Sequence, residues 1–236
     1  MSETFLRAFH AARPGVTAAA FARTDSYRAL AARVATARRV LDLGGGDGPL
    51  LAWLPDAISV DLSLEEAARA PAGRGVQGRA HELSFRDGAF DACACHLAFM
   101  LFGDIERVVR ELARVIAPGG TFAAVLGGGP TADGEDAFHR FLAIARPHVR
   151  PIALGDRRAS SEAGWRTLFA DGWRDIHFER RALDLGGTFD EVWTFLGASY
   201  QLDPVAAPHV RAELHAMLGD TAACRVVTWL ATVIRR

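Results

Sequence analysis

The stretch whose residue types and spacing point most directly to chemistry is Val40-Leu41-Asp42-Leu43-Gly44-Gly45-Gly46-Asp47-Gly48. An apolar run that stops in glycines and is followed by Pro49 reads as a strand, a tight turn and the start of a helix. Such a turn sets bare backbone at the carboxyl edge of a sheet, where Cβ atoms would obstruct a ligand. The spacing separates ligand classes. The dinucleotide pattern G-x-G-x-x-G, begun at Gly44, needs Gly or Ala at position 49, which is Pro49. The pattern present is G-x-G-x-G on Gly44, Gly46 and Gly48, with Asp42 ahead of it. A carboxylate there repels a pyrophosphate and attracts the ammonium of an amino-acid ligand. Nineteen residues after Asp42, Asp61 closes a second apolar run, Ile58-Ser59-Val60-Asp61-Leu62. A carboxylate at that strand end can accept hydrogen bonds from both hydroxyls of a ribose.

The elements that must position these residues follow from periodicity and punctuation. Residues 1–39 read as helix, broken at Pro14-Gly15. Strands are expected at 40–43, 57–61, near Val76, at 90–97 and at 121–126, the run at 90–97 being apolar throughout as in a buried parallel strand. Ser63-Leu64-Glu65-Glu66 has the form of a capping box opening a helix that ends near Gly73, and Asp104 can cap a helix reaching Ile116, stopped by Pro118-Gly119-Gly120. This alternation predicts a parallel sheet covered on both faces. Beyond Gly127 the rhythm changes: 131–172 and 188–218 read as mostly helical, with strands at 176–183 and 226–234.

Composition narrows the function classes. Of 236 residues, half are hydrophobic and 23% charged, as in an ordinary globular domain. The formal net charge is -1, without the basic excess that phosphate neutralisation demands, so nucleic acid is not expected as a partner. The three cysteines are odd in number, and Cys93 and Cys95 are read as facing opposite sides of a strand; neither a disulfide framework nor a zinc site is expected. The N-terminus shows no basic start followed by an apolar stretch, and no run reaches the length of a membrane span. A cytoplasmic protein without membrane contact is the expectation.

Taken together, these motifs resemble the class I S-adenosylmethionine (SAM)-dependent methyltransferases, with the ubiquinone/menaquinone-type small-molecule enzymes the nearest group. Gly78-Arg79-Ala80-His81-Glu82-Leu83-Ser84-Phe85-Arg86-Asp87-Gly88-Ala89-Phe90-Asp91 is similar to the family's stretch before strand four. Arg110-Glu111-Leu112-Ala113-Arg114-Val115-Ile116-Ala117-Pro118-Gly119-Gly120 is similar to the one before strand five. The resemblance covers residues 40–126. It implies a Rossmann-like, doubly wound, mostly parallel seven-stranded α/β sheet in a single domain over 1–236. Residues 1–39 would form a helical N-terminal lid, 40–126 the SAM-binding core, and 127–236 inserted lid helices and closing strands.

The resemblance also assigns roles. Asp42, Gly44, Gly46 and Gly48 would hold the methionine end of SAM, Asp61 the ribose hydroxyls, Leu62 the adenine face and the Ala80 N–H an adenine nitrogen. The family's acidic adenine contact falls on Arg79, a departure for which Glu82 is the candidate substitute. His96, at the end of strand four, would face the methionine portion of SAM or the reacting methyl group, and is the candidate general base. Cys95-His96-Leu97-Ala98 occupies the place of the Asn/Asp-Pro-Pro-Tyr motif of DNA-amino methylating enzymes. The span 95–99 also lacks the acidic ligands of catechol-type enzymes, so no metal is expected. The implied function is methyl transfer from SAM to a small organic acceptor, yielding S-adenosylhomocysteine. Of the aromatic residues in the lid segments (Phe21, Tyr27, Phe138, Phe141, Trp165, Trp193, Phe195, Tyr200), most are expected in the core and a few in the wall of an apolar acceptor pocket. The alternatives are a non-catalytic or regulatory SAM-binding protein, or an enzyme acting on a carrier-bound acyl chain or a protein.

Overall fold

The computed structural model describes residues 3–71, 73–132, 134–150 and 155–236. Five strands run parallel: β1 (Val40–Leu43), β2 (Ile58–Asp61), β3 (Gly75–Gln77), β4 (Phe90–His96) and β5 (Ile116–Pro130). Two more, β6 (Trp173–Asp184) and β7 (Arg225–Arg235), complete a seven-stranded sheet of order β3-β2-β1-β4-β5-β7-β6, in which β7 lies antiparallel to both its neighbours. The strand order reverses direction between β1 and β4. In a doubly wound sheet that is where the loops part and a ligand crevice opens at the carboxyl ends of the strands. Asp42 pairs in register with Ser59 on one side and Ala94 on the other, so the candidate carboxylate sits in the middle of the sheet.

Each sheet face is covered by its own apolar cluster. One contains Val108, Leu112 and Val115 of α5 (Ile105–Val115) and the stacked rings of Phe99, Phe122, Trp165 and Phe169. The opposite cluster draws on two N-terminal helices, α2 (Val16–Phe21) and α3 (Ser26–Arg33), and three later ones, α6 (Ala137–Ala145), α8 (Phe189–Ser199) and α9 (Ala207–Leu218). The first helix, α1 (Glu3–Ala12), buries no residue. Burying both faces explains why β4 is apolar along almost its whole length.

Several elements differ from the sequence reading. Pro49 opens only a 3₁₀ turn, Pro49–Ala52, because Leu50 and Leu51 already reach the core within one turn. The helix after β2, α4, is Leu64–Ala67 and stops well short of Gly73. Its capping box is half made: Ser63 Oγ accepts the Glu66 N–H at 3.3 Å, but the Ser63 N–H is taken by Asp61 Oδ1 at 2.8 Å, which leaves the Glu66 carboxylate for other work. Strand β5 runs past Leu126 to Pro130 because the long antiparallel strand β7 continues to pair with it there. Asp104 precedes α5 but makes no side-chain cap. The helical region after Gly127 is α6 plus α7 (Glu162–Leu168) and short 3₁₀ turns, with positions 133 and 151–154 lying outside the described residues. Residues 188–218 divide into α8 and α9 around a short ribbon, Gln201–Leu202 against Val149–Arg150. Cys93 and Cys95 share one face, as positions two apart on a strand must, and both are buried in the α5-side cluster. Trp165 lies in that same cluster, beneath the sheet and away from the crevice.

Candidate functional site

The glycine turn is held by main-chain geometry and by Asp61. Gly44, Gly46 and Gly48 have φ of +68°, +57° and +82°, the left-handed region that costs other residues strain. The N–H groups of Gly44 and Gly45 donate to the Val60 carbonyl at 2.7 and 3.3 Å, and the Gly46 N–H donates to Asp61 Oδ2 at 2.9 Å. Glycine is required for a different reason at each position. A Cβ on Gly44 would overlap the Ala98 Cβ, and one on Gly45 would overlap Ser59 Oγ and the Asp42 carboxylate. Gly46 faces open space, its nearest neighbour being Glu66 Oε2 at 4.0 Å. Clearance for a ligand is therefore the property of Gly46, whereas Gly44 and Gly45 are fixed by protein packing.

Two buried carboxylates at this edge have oxygens without partners. Asp42 is fully buried, and neither of its oxygens nor the adjacent Ser59 Oγ makes a hydrogen bond. Burial pushes its pKa up to about 7, with the Ser59 hydroxyl opposing and the Asp61 charge reinforcing the rise. Glu66, 2% exposed, accepts from His10 Nδ1 at 3.0 Å and from the Gly15 N–H at 3.2 Å through Oε1, while Oε2 has no partner. Burial works against the charge of His10, but the Glu66 hydrogen bond and the charges of Asp61 and Glu66 prevail, so its pKa is raised. Asp61 is also raised by burial, against the hydrogen bonds from the Ser63 and Gly46 N–H groups.

His96 ends β4 beneath the N-terminal helices. Its Nε2 lies 3.0 Å from Ser26 Oγ, its ring stacks on Tyr27 at 4.0 Å, and Phe21 meets it edge-on at 5.3 Å. Burial alone lowers its pKa to about 3, so the imidazole is neutral across the physiological range. The next residue, Leu97, has φ +57°, a strained conformation for a branched side chain, and the chain turns there into the 3₁₀ turn Phe99–Leu101.

All of this opens on one cavity of about 1550 Å³. Its acidic end is lined by Asp42, Asp47, Asp61 and Glu66 with Gly44–Gly46, and its other end by Phe138, Trp193, Phe195, Tyr200, Leu202 and Val226. Of the expected site residues, Asp42, Gly44, Gly46, Asp61, Leu62, Ala80 and His96 all line this cavity. Gly48 does not: a Cβ there would meet Leu51, Ala70 and Pro71, so its place is structural. Arg79 lines the rim but pairs through Nε with Glu3 of α1 at 3.0 Å, and Glu82 is exposed, 4.0 Å from Arg107 and away from the lining. Arg158 is paired with Asp156 and Glu106, as a surface charge. The sequence reading missed Glu66 and Ser26. Glu66 was absorbed by its capping-box position, and nothing local marks Ser26 as the partner of a histidine seventy residues away. Among the described residues, no group of three His, Cys, Asp or Glu side chains could hold a metal ion. No helix there is long and apolar enough to cross a membrane.

A sheet of this order with an acidic glycine turn at its switch point defines the class I methyltransferase fold, and comparison with known proteins agrees. Residues 41–124 match the model of the family described as methyltransferase domain. The chain is 35% identical over 140 residues to the uncharacterised methyltransferase YcgJ of Bacillus subtilis, covering 53% of this chain and 55% of that one. It is 37% identical over 97 residues to the demethylmenaquinone methyltransferase of Thermus thermophilus, covering 35% of this chain and 44% of the relative. The chain thus spans about half the length of the curated relatives it matches. The crystal structure of YcgJ superposes with a TM-score of 0.57 at 23% identity, over 89% of this chain and 99% of that one, a likeness of fold. Residues 41–124 are accordingly similar to a methyltransferase domain, and the seven-stranded sheet around them shares the fold of the YcgJ crystal structure.

Proposed function

We propose that the chain transfers a methyl group from SAM to a small, largely apolar organic acceptor. The observation that carries this reading is the division of one cavity into an acidic end with unpartnered buried carboxylate oxygens and an aromatic end. Its volume of about 1550 Å³ exceeds the roughly 300–1,000 Å³ of a site for one drug-sized ligand, which leaves room for donor and acceptor together. The donor fits the acidic end. An orphaned, fully buried carboxylate calls for a cation or strong hydrogen-bond donors, and SAM brings an α-ammonium for Asp42 and ribose hydroxyls for Asp61. When bound, SAM supplies a methyl group already activated on a sulfonium.

The protein's share of the work is then positioning and exclusion of water. Gly46 lets the ligand approach the turn, and Asp61 holds that turn in place. Leu62 and Ala80 line the path proposed for the adenine. Phe138, Trp193, Phe195 and Tyr200 wall the acceptor end, and aromatic surface favours an apolar molecule there. His96, the candidate base, is held as a neutral imidazole against Ser26 and Tyr27, and its lowered pKa makes it a weak proton acceptor, so the reading does not depend on it. The balanced charge supports a small acceptor over nucleic acid, and three buried free thiols accord with the cytoplasmic placement.

The test is incubation of the protein with methyl-labelled SAM and a fractionated small-molecule extract. Label passing into an organic-extractable product is the expected result. Label confined to protein or nucleic acid, or not transferred to any fraction, would refute the reading.

A further inference from the structure

The reaction proposed above leaves one oxygen unused. Glu66 is 2% exposed, and its Oε1 is occupied by the N-terminal segment, through His10 Nδ1 at 3.0 Å and the Gly15 N–H at 3.2 Å. Its Oε2 has no partner. Glu66 lines the cavity, and Oε2 lies 4.0 Å from the position of a Cβ on Gly46, with no other atom that near. Gly46 is also the residue whose N–H Asp61 holds at 2.9 Å. Two carboxylates therefore flank a single glycine, one on its N–H and the other across its open side. A buried carboxylate oxygen facing a ligand cavity calls for a donor. A cationic donor is already provided for by Asp42, whose two free oxygens stand at the end of β1. Glu66 stands instead with Asp61 at the end of β2, where a vicinal diol offers one hydroxyl donor to each carboxylate.

We propose that Glu66 is a second ribose-binding carboxylate, with Oε2 accepting a hydroxyl of the bound adenosyl group while Oε1 keeps α1 over it; the assignment rests on the cavity being an adenosyl seat. One side chain then joins ligand to lid. The sequence signal was present but ambiguous, because the third position of a capping box ordinarily turns its carboxylate back to the cap.

The test is calorimetric titration of wild type, Glu66→Met, Glu66→Gln and His10→Ala with three probes: S-adenosylhomocysteine, its 2′,3′-dideoxy analogue and 5′-methylthioadenosine. Glu66→Met is expected to weaken S-adenosylhomocysteine binding by about tenfold or more, the loss of a hydrogen bond to a charged group. Glu66→Gln, which keeps the shape, should shift affinity in the same direction by less. His10→Ala, which releases the helix but keeps Oε2, should cost no more than about threefold. The Glu66→Met loss should persist with 5′-methylthioadenosine, which lacks the amino-acid part, and vanish with the dideoxy analogue. Equal losses in Glu66→Met and His10→Ala would reduce Glu66 to an anchor for α1, and a loss that disappears with 5′-methylthioadenosine would place Oε2 on the amino-acid part; either overturns the proposal. Normal wild-type binding with Glu66→Met unaffected overturns it alone, whereas a wild type that binds none of the probes overturns the methyltransferase reading beneath it.

Discussion

The carboxylate of Asp61 accepts a hydrogen bond from the backbone N–H of Gly46 at 2.9 Å, tying the end of β2 to the middle of the glycine turn that follows β1. Through its other oxygen it accepts the Ser63 N–H at 2.8 Å, which fixes the entry to α4. Each oxygen keeps a further lone pair, so the residue that shapes the turn can also receive a ligand. Turn geometry and the proposed ribose contact meet in this one side chain.

The glycines of the turn should separate by substitution. Gly44→Ala forces a left-handed residue against the Ala98 Cβ and should destabilise the fold by about 1–3 kcal/mol, lowering the urea midpoint. Gly46→Ala meets no protein atom closer than Glu66 Oε2, so it should cost about 1–2 kcal/mol of backbone strain while its methyl group weakens ligand binding. Equal stability loss with intact binding in both variants would contradict the packing described.

If Asp42 holds the ammonium as proposed, ligand affinity should depend on pH. In the free protein its pKa is pushed up to about 7 by burial, and an ammonium beside it would favour the ionised form. Binding of S-adenosylhomocysteine should therefore tighten as pH rises from 6 to 8, with proton release below about pH 7 measurable by calorimetry in buffers of different ionisation enthalpy. The analogue 5′-methylthioadenosine, without an ammonium, should show neither effect. A pH-independent affinity for both ligands would contradict the role of Asp42.

His96 should not titrate in the ordinary histidine range. Buried against Tyr27 and Phe21 with a pKa of about 3, its imidazole resonances should stay constant from pH 5 to 9 in an NMR titration. A midpoint near 6.5 would show that the helices over it open freely and that it can work as a conventional base.

Asp136 positions the aromatic end of the cavity. Its Oδ1 caps α6 by accepting the Phe138 and His139 N–H groups at 3.2 and 3.4 Å, and its Oδ2 accepts the Arg225 N–H at the start of β7 at 2.7 Å. Asp136→Ala should destabilise the protein by about 1–3 kcal/mol, seen as a lower thermal midpoint. No change in the midpoint would contradict the bridging role.

What the sequence made legible is what short-range rules encode. Asp42, the Gly44–Gly46 turn and Asp61 lie within two strand–turn units, where alternation and glycine punctuation suffice to place them. The apolar run of β4 announced a strand covered on both faces. The misreadings lie where a distant partner decides. Pro49 opens a single turn because the core is already reached at Leu50 and Leu51. Strand β5 is lengthened by β7, a hundred residues later in the chain. Glu66 is claimed by His10 rather than by its own helix cap, and His96 is neutralised by Ser26, Tyr27 and Phe21 folded over it from the N-terminal segment. Trp165, an aromatic residue in a region read as lid, stacks under the opposite face of the sheet on Phe122.

The most direct measurement of the central claim is calorimetric titration of the wild-type protein with S-adenosylhomocysteine and, separately, with NAD. The acidic turn with Pro49 at its end predicts saturable one-to-one binding of S-adenosylhomocysteine and no binding of NAD. Binding of NAD without S-adenosylhomocysteine would mean that the turn between Asp42 and Asp61 seats a pyrophosphate, and would contradict the account.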